Sequence, residues 1–443
     1  MTDQDCALFL EQVGDELQKC VKCGACQSVC PIYAETKAEK YVARGKIALS
    51  QAVTEGRLPY TEEFDSVLHN CLLCLSCVEV CSSNVRVDKI VTAARSSLVR
   101  ERGLPWSKRM AFKALRAGRW TQNLFAQSGS LAQTLLFHRL PTTSGLRRRF
   151  PVPGVDKDQV VPRLAVRSFR SRHDVYHPAG DESQTVILFT GCSANYVFPR
   201  IAEAAVWTLG HVGQSVLIPP GQMCCGAPAE CHGDQDTVHE LARKNLYALA
   251  EKFPQAPVIV ICSSGGYMFK RMYPELFSPG EDARMAADLA DRTYDISEYL
   301  VHKVGPDKLA AQMTTPVQVF TTYHDPCHLK RGQGVYHEPR HLLRLACADR
   351  FIPMVDADRC CGMGGTYGLS HREMSKAVLS RKTEAVQASK AAQIATGCPA
   401  CMIQLQDGIS RAGLQVGVKH TVEVAAEAMG WEGSSGGHSC ETG

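Results

Sequence analysis

The chain has 443 residues, of which 45% are hydrophobic and 21% are charged, and its formal net charge is +4. These values exclude a disordered or fibrous protein and allow two or three globular domains with buried cores. The 21 cysteines are too sparse, in a chain of this length, for a small scaffold held together by disulfides.

The N-terminal stretch "MTDQDCALFLEQVGDELQ" contains no basic segment followed by an apolar core and a cleavage site, so we expect no export to an oxidising compartment. Apolar runs stay far below the roughly 18 residues that a membrane-spanning helix needs. The sequence therefore predicts a cytoplasmic protein and leaves open a peripheral contact with the inner face of the cell membrane. In a reducing cytosol, clustered thiols are more often metal ligands or redox groups than disulfide partners.

Two runs of four cysteines occupy the first part of the chain. They contain Cys20, Cys23, Cys26 and Cys30 in "CVKCGACQSVCP", and Cys71, Cys74, Cys77 and Cys81 in "CLLCLSCVEVCS", where Ser82 replaces the proline. This spacing is typical of bacterial ferredoxins, in which three cysteines hold one [4Fe-4S] cluster and the fourth binds the other cluster. The crossed pattern predicts one cluster on Cys20, Cys23, Cys26 and Cys81, and a second on Cys71, Cys74, Cys77 and Cys30. Zinc is the alternative, but it normally takes two CxxC pairs or mixed Cys and His ligands.

Helical periodicity connects and extends the two cysteine runs. In "AEKYVARGKIALSQAVTEGRL" the apolar residues Val42, Ile47 and Val53 recur at helical spacing, and "VRVDKIVTAARSSLVRERG" has a second amphipathic pattern. The sequence therefore predicts a helical ferredoxin-type domain over residues 1–103 that carries both clusters.

The next segment is strongly basic. Residues 100–172 contain sixteen Lys and Arg against three acidic residues, a local net charge of +13. Such a surface attracts anionic protein faces or phospholipid headgroups, and we expect no nucleic acid partner because the arginines are not interleaved with stacking aromatics. Apolar residues among the cations of "SKRMAFKALRAGRW", and prolines from Pro141 to Pro162, predict a helical and then extended linker over residues 104–182. A solvated connector without a partner is the alternative.

The second half of the chain repeats itself. Cys192, the pair Cys224 and Cys225, and Cys262 recur as Cys327, the pair Cys360 and Cys361, and Cys398, at offsets of 135 to 136 residues. The surrounding sequences also match, for example "MCCGAP" with "RCCGMGG". Coincidence does not explain agreement at three separate positions. We therefore predict two tandem domains, over residues 183–305 and 306–431, followed by a flexible tail over 432–443.

Each repeat alternates predicted strands and helices. The strands are "QTVILFT", "QSVLIPP" and "APVIVI" in the first repeat and "VQVFTTY", "RFIPMV" and "AQIAT" in the second. This order predicts parallel sheets, so we expect the chain to combine an α-helical domain with two α/β domains. The cysteines follow the strand ends, where open parallel sheets form binding crevices and helix N-termini stabilise anions.

These motifs resemble a known family. A repeat of Cys, then CCG, then CxxC is similar to the domain shared by a cysteine-rich subunit of heterodisulfide reductase and the iron-sulfur subunits of glycolate oxidase, lactate-utilisation and anaerobic glycerol-3-phosphate dehydrogenase systems. With the ferredoxin-type module in front, the chain most resembles the glycolate oxidase iron-sulfur subunit. The resemblance implies a further [4Fe-4S] cluster, of the noncubane type found in heterodisulfide reductase, on Cys327, Cys360, Cys361, Cys398 and Cys401.

The first repeat departs from this pattern, because Gly265 occupies the place of the last cysteine. The thiols that remain are Cys192, Cys224, Cys225 and Cys262. Either they hold a cubane or smaller cluster, with help from Cys231, or they are a structural remnant, and the sequence leaves both options open.

Two histidines and three further cysteines are not predicted to bind iron. His324 and His328 flank Cys327, and we expect them to donate hydrogen bonds or support the structure rather than bind iron. The cysteines without partners at ligand spacing are expected to be free thiols. They are Cys6, Cys347 and Cys440.

The sequence offers no site for two-electron chemistry. It contains no GxGxxG loop, no phosphate-binding P-loop and no acid/base constellation, so we expect no flavin on this chain and assign no catalytic residue. The resemblance implies an electron-transfer subunit that takes electrons from an FAD-dependent 2-hydroxy acid (glycolate or lactate) dehydrogenase and passes them towards quinone or another carrier. Alternatives are a heterodisulfide-reductase-like subunit that reduces a disulfide at the cluster of the second repeat, a glycerol-3-phosphate dehydrogenase subunit, and a zinc-stapled scaffold.

Overall fold

The computed structural model describes residues 9–139, 145–148, 159–179 and 184–433. Cys6, Cys440, most of the predicted tail and parts of the basic linker lie outside these ranges. The described residues combine a helical N-terminal part with parallel α/β layers, so the predicted fold class is confirmed.

Short helices and tight loops build the N-terminal part. The helices are α1 (Gly14–Gln18), α2 (Ala25–Val29), α3 (Pro31–Thr36), α4 (Ala43–Thr54), α5 (Glu62–His69), α6 (Ser76–Glu79) and α7 (Val87–Arg102). The two predicted amphipathic helices are α4 and α7, which pack together through Ile47, Val87 and Val91. Burial of these faces stabilises helices that are too short to persist alone in water.

The basic segment is more ordered than the sequence suggests. It forms helices α8 (Trp106–Arg116), α9 (Arg119–Leu136) and α10 (Phe169–Arg172), and an antiparallel sheet of β1 (Phe137–Arg139), β2 (Gly145–Arg148) and β3 (Val161–Pro162). Ser130 Oγ and Gln133 Nε2 on α9 donate to Leu164 O and Pro162 O, at 3.2 and 3.1 Å. One side of α9 is therefore attached to the chain that follows β3.

The first repeat contains a five-stranded sheet. Its strands are β4 (Tyr176–His177), β5 (Thr185–Phe189), β6 (Ser215–Leu217), β7 (Val258–Val260) and β8 (Thr293–Asp295), in the order β4-β6-β5-β7-β8. Only β4 pairs antiparallel to its neighbour. The helices of this repeat are α11 (Gly191–Tyr196), α12 (Pro199–His211), α13 (Ala227–Glu230), α14 (Gln235–Ala250), α15 (Ser263–Tyr267), α16 (Tyr273–Leu276), α17 (Glu281–Asp291) and α18 (Ile296–Tyr299). Helix α19 (Pro306–Gln312) follows them and leads into the second repeat.

The second repeat has the same topology with fewer strands. A parallel sheet contains β9 (Thr321–Tyr323), β10 (Gln393–Thr396) and β11 (Gly417–His420), in the order β11-β10-β9. The helices are α20 (Cys327–Gln333), α21 (His337–Cys347), α22 (Tyr367–Ser370), α23 (Arg372–Ser389), α24 (Pro399–Arg411) and α25 (Thr421–Ala428). The predicted strand "RFIPMV" is wrong, because only Phe351 pairs with Thr321, through a single bridge. Pro353 has no N–H for a sheet ladder.

The two repeats share one core, and equivalent helices of each repeat pack against the other. Helix α12 packs against α25, as its counterpart α21 packs against α18. Likewise α15 packs against α20, and α11 against α24. This reciprocal packing indicates an approximate twofold relation between the repeats, and one hydrophobic cluster extends through both.

Buried polar contacts attach the N-terminal part to both repeats. Arg95 is 2% exposed, and it donates to Cys71 O at 2.8 Å and to Cys231 O at 2.7 Å. His328 Nε2 donates to Leu73 O at 3.0 Å, and Tyr267 OH donates to an Asp88 carboxylate oxygen at 2.9 Å. The cysteine loops are thereby held against the repeats.

Within the described ranges, none of the helices combines the length and hydrophobicity that a bilayer crossing requires.

Candidate metal centres

The two N-terminal cysteine loops share an unusual backbone. Lys22 and Gly24 in the first loop have φ of 58° and 87°, and the corresponding Leu73 and Leu75 in the second have φ of 50° and 61°. A left-handed conformation costs a residue with a side chain about 1–2 kcal/mol. Strain of this kind at matching positions is typical of a functional constraint, here a loop bent around a bound group.

The first loop surrounds a cavity near the surface. The cavity is lined by all four thiols of the first predicted cluster, Cys20, Cys23, Cys26 and Cys81. Arg44 also lines it, and Gly24 leaves room for the Arg44 guanidinium, because a Cβ there would lie 2.8 Å from Arg44 Nη1. Cys23 is exposed, so one predicted ligand of this cavity reaches the surface.

The second loop surrounds an adjoining, deeper cavity. Its wall contains all four thiols of the second predicted cluster, Cys30, Cys71, Cys74 and Cys77. Burial raises the pKa of Cys30 to about 11 and that of Cys77 well above its usual value. These thiols would stay neutral on their own, whereas a bound metal ion deprotonates its thiol ligands. Lys46 also lines this cavity and places a positive charge beside it.

In the second repeat Cys327 and Cys398 follow strands β9 and β10, and Cys360, Cys361 and Cys401 pack beside them. Cys361 Sγ lies 3.4 Å from Cys401 Sγ, and Gly362 N donates to Cys360 Sγ at 3.4 Å. The thiol of Cys327 hydrogen-bonds with Cys360, and that of Cys398 with Cys401. Hydrogen bonds from Cys360 and Cys401 lower the pKa of Cys361 well below its usual value. The pKa of Cys398 is lowered as well, whereas those of Cys327 and Cys401 are raised well above the usual value. Cys361 and Cys398 therefore already favour the thiolate form that metals bind.

His324 lies closer to these sulfurs than the sequence suggests. One of its ring nitrogens lies within 4.8 Å of both Cys361 Sγ and Cys401 Sγ. Nδ1 donates to Ala357 O at 3.1 Å, which leaves Nε2 with a lone pair. Burial lowers the pKa of His324 to about 3, so the imidazole is neutral and able to act as a ligand. His328 instead stacks on Tyr267, at 4.7 Å between ring centres, and has a structural role.

The first repeat does not collect its thiols in the same way. Cys192 Sγ lies 4.0 Å from Cys224 Sγ, and Cys224 also interacts with Cys225, but the largest influence on the Cys262 thiol is Cys398 of the second repeat. Cys231 packs in the N-terminal core beside Cys71, rather than in the cluster that contains Cys192. The suggestion that Cys231 assists the first repeat is therefore not supported by its position.

A second sulfur contact joins the N-terminal part to the second repeat. The thiol of Cys74 hydrogen-bonds with that of Cys360. Both side chains lie in a small cluster with Ile32, Leu72 and Tyr367. The second cavity and the second repeat thus meet directly through two cysteines.

Sequence reasoning did not identify Lys382. It is fully buried, and Nζ donates to the carbonyl oxygens of Asp356 and Ala357, at 2.6 and 3.1 Å. Burial lowers its pKa to about 8, although the neighbouring Cys361 and Cys360 raise it. The sequence did contain a signal for the burial of this lysine. Lys382 follows Val378 by four residues and Leu379 by three, so it lies on the apolar face of α23.

The donor sets fit iron-sulfur clusters. The first N-terminal cavity is lined by five thiols and the second by four, and zinc sites rarely take two adjoining all-cysteine loops with crossed partners. In the second repeat, Cys327 and Cys398 lie at the starts of helices α20 and α24, where backbone N–H groups stabilise anionic sulfur. The wider coordination that five cysteines permit also exceeds the four ligands of a structural zinc ion.

Two domain families match this chain. The 4Fe-4S dicluster domain matches residues 16–85, and the cysteine-rich CCG domain matches twice, over residues 186–270 and 321–406.

Relatives from several organisms are similar over half of the chain or more. A probable glycolate oxidase iron-sulfur subunit from Bacillus subtilis (strain 168) is 31% identical over 95% of this chain and 96% of its own length. A subunit of the dihydromethanophenazine:CoB--CoM heterodisulfide reductase from Methanosarcina barkeri is 25% identical over 94% of each chain. Lactate utilization protein A from Oceanobacillus iheyensis is 30% identical over 54% of this chain and 95% of its own.

One solved structure supports the fold. A hypothetical protein from Helicobacter pylori aligns over 98% of this chain and 78% of its own, with a TM-score of 0.51 and 12% identity. At this identity the likeness concerns architecture alone.

Proposed function

Because this chain belongs to the family of CCG-domain iron-sulfur subunits that includes the glycolate oxidase and heterodisulfide reductase subunits, we propose that it carries electrons for an FAD-dependent 2-hydroxy acid dehydrogenase. The partner flavoprotein oxidises glycolate or lactate, and this chain passes the electrons towards quinone or another carrier. Redox chemistry of this kind needs a flavin on one chain and one-electron centres on another. The iron-sulfur subunit role is common to the family, and the partner and the direction of flow are the proposal.

One observation carries this proposal, a continuous series of sulfur sites from the surface to the interior. The series begins at the exposed Cys23 in the first cavity and continues into the second, since Cys77 lines both cavities. It then crosses from Cys74 to Cys360 and ends at the buried Cys401. We propose [4Fe-4S] clusters at both cavities and at the second repeat, with the flavoprotein docked beside Cys23.

Copurification and dye reduction test this function. The native complex should contain an FAD protein and should reduce an artificial dye when glycolate or lactate is added. Removal of the flavoprotein should abolish substrate-dependent reduction, while chemical reductants still bleach the iron-sulfur absorption of this chain. A complex without flavin that is inert towards both acids would contradict the proposal, and activity with glycerol 3-phosphate would redirect it to that dehydrogenase class.

A disulfide reductase is the second candidate, and one observation favours it. Cys30 and Cys360 line an open cleft of about 340 Å³ between the N-terminal part and the second repeat. A substrate disulfide in this cleft would lie beside Cys360, one of the proposed cluster ligands. In that case a low-potential donor would replace the hydroxy acid flavoprotein, and oxidation with the disulfide would induce a paramagnetic signal.

We further propose that α9 contacts an anionic membrane surface from the cytoplasm. Trp120, Phe125 and Leu131 on α9 are 77%, 60% and 67% exposed, and the helix has no charged residue after Arg119. The adjoining α8 contributes four Lys and Arg and no acidic residue. Aromatic and apolar side chains beside cations are suited to the headgroup region of anionic lipids. This contact would bring the chain close to a quinone.

Vesicle flotation tests the contact through α9. The protein should float with phosphatidylcholine vesicles that contain phosphatidylglycerol, and much less with phosphatidylcholine alone, because the cations require anionic lipid. The double variant Trp120→Ser/Leu131→Ser should lose most of this binding. Val355→Ser is the matched control, since Val355 is 80% exposed at a distant position in the second repeat. Equal flotation of all three proteins would refute the assignment to α9.

A further inference from the structure

The two repeats meet at their equivalent cysteines. Cys262 and Cys398 occupy the same position in the repeat, each directly before a helix, α15 and α24. Their chains are joined by hydrogen bonds, since Ser263 N and Ser263 Oγ both donate to Gly397 O, at 3.2 and 2.7 Å. The thiols of Cys262 and Cys398 interact across this contact, and each shifts the pKa of the other. The two sulfurs therefore lie together at the boundary between the repeats.

The first repeat has lost two of the groups that surround the sulfurs in the second. Phe189 stands at the position equivalent to His324, and Gly265 at the position equivalent to Cys401. His324 and Cys401, with Cys361, are the groups that lie within 4.8 Å of one another in the second repeat. The first repeat thus replaces a nitrogen and a sulfur donor with groups that cannot bind metal.

An apolar ring also fills the corresponding space. Phe189 is 2% exposed and packs edge-on against Phe269, with ring centres 4.6 Å apart. A Cβ on Gly265 would lie 3.6 Å from Phe189 Cε1, and one on Gly191 would lie 3.3 Å from the same atom. The ring therefore occupies the crevice between the strand ends, where the second repeat holds its donors.

We propose that Cys262 is a ligand of the cluster in the second repeat and that the first repeat holds no cluster of its own. The site then draws thiolates from both repeats, with Cys262 joining Cys361, Cys398 and Cys401. This inference rests on the proposed presence of an iron-sulfur cluster in the second repeat. Cys262 binds as a thiolate, so its proton is released to solvent when the cluster is inserted.

The geometry assigns different roles to the remaining thiols of the first repeat. Cys224 and Cys225 are buried, and Cys192 has a sulfur contact only at 4.0 Å, with Cys224. These side chains pack as small apolar groups, so their replacement should leave the iron content unchanged.

Iron counting and electron paramagnetic resonance on the full-length protein test this inference. Cys262→Ala should lower the iron content by about four atoms per chain, the content of one [4Fe-4S] cluster. It should remove the same resonance that Cys361→Ala removes and leave the signals of the N-terminal clusters intact. The matched controls Cys192→Ala and Cys224→Ala should keep the iron content and all resonances of the unmodified protein.

Two outcomes would overturn the inference. If Cys192→Ala, Cys224→Ala and Cys262→Ala all lose one common resonance that Cys361→Ala retains, the first repeat holds its own cluster. If Cys262→Ala retains all the iron, Cys262 only donates a hydrogen bond to Cys398. Should Cys361→Ala also retain all the iron, the proposed cluster of the second repeat itself fails, which is a separate result. Intact N-terminal signals in each variant show that the chain has folded.

Discussion

Replacement of Cys74 with serine should remove the second N-terminal cluster and stop electron flow through the protein. Cys74 is buried, lines the second cavity and hydrogen-bonds with Cys360. Loss of this thiol interrupts the series of sites between the second N-terminal cavity and the second repeat. Substrate-dependent dye reduction should therefore fall by more than the roughly 10- to 100-fold that loss of an outer-shell partner of a metal ligand costs.

The control for Cys74→Ser is Cys347→Ser. Cys347 is also fully buried, but it packs in the core of the repeats among apolar residues, away from the candidate sites. Cys74→Ser should lose about four iron atoms and one resonance, while Cys347→Ser keeps both. Because cluster binding and folding are coupled, thermal melting should accompany the iron assay. Equal iron content and equal activity in the two variants would contradict the assignment of Cys74 as a ligand.

Replacement of Cys361 with serine should have the second largest effect. Cys361 lies at the centre of its group, with Cys401 Sγ at 3.4 Å and hydrogen bonds from both Cys360 and Cys401. The variant should keep both N-terminal resonances and lose the resonance of the second repeat. Substrate-driven bleaching of the N-terminal clusters should persist, while transfer to the final acceptor stops, because this site is the interior end of the series.

The control for Cys361→Ser is its counterpart in the first repeat. Cys225→Ser changes the buried cysteine at the equivalent position of the first repeat, and its resonances should match those of the unmodified protein. Freeze-quenched resonance spectra after mixing with substrate separate the two effects. Loss of the N-terminal signals in Cys361→Ser, or an unchanged spectrum, would show that the second repeat is not an independent centre.

Short-range features were accessible from the sequence because the chain itself holds them together. Cysteines three residues apart must share a loop, so the N-terminal spacing alone indicated a cluster-binding site. Continuous apolar runs such as "TVILF" indicated buried parallel strands. The structure has those strands, and it gathers the crossed thiol sets, although metal ligation itself stays a prediction.

The sequence analysis did not identify two weakly apolar strands, and the reason is physical. Strands β8 and β11 lie at sheet edges and contain the polar sequences "TYD" and "GVKH". Thr293 and Asp295 of β8 are buried although they are polar, so these strands carry little of the apolar signal that identifies central strands. The same sequence rules wrongly predicted a strand at "RFIPMV", where Pro353 limits pairing to a single bridge at Phe351.

The sequence by itself determined the clustered thiols in loops, the repeated α/β unit and the absence of nucleotide-binding motifs. Only the tertiary structure decided which distant thiols meet, such as Cys74 with Cys360 and Cys262 with Cys398. It also decided that His324 faces the sulfurs and that Phe189 fills the equivalent space in the first repeat. Spacing within a loop is limited by covalent geometry, whereas contacts between residues far apart in the chain depend on how entire helix faces pack.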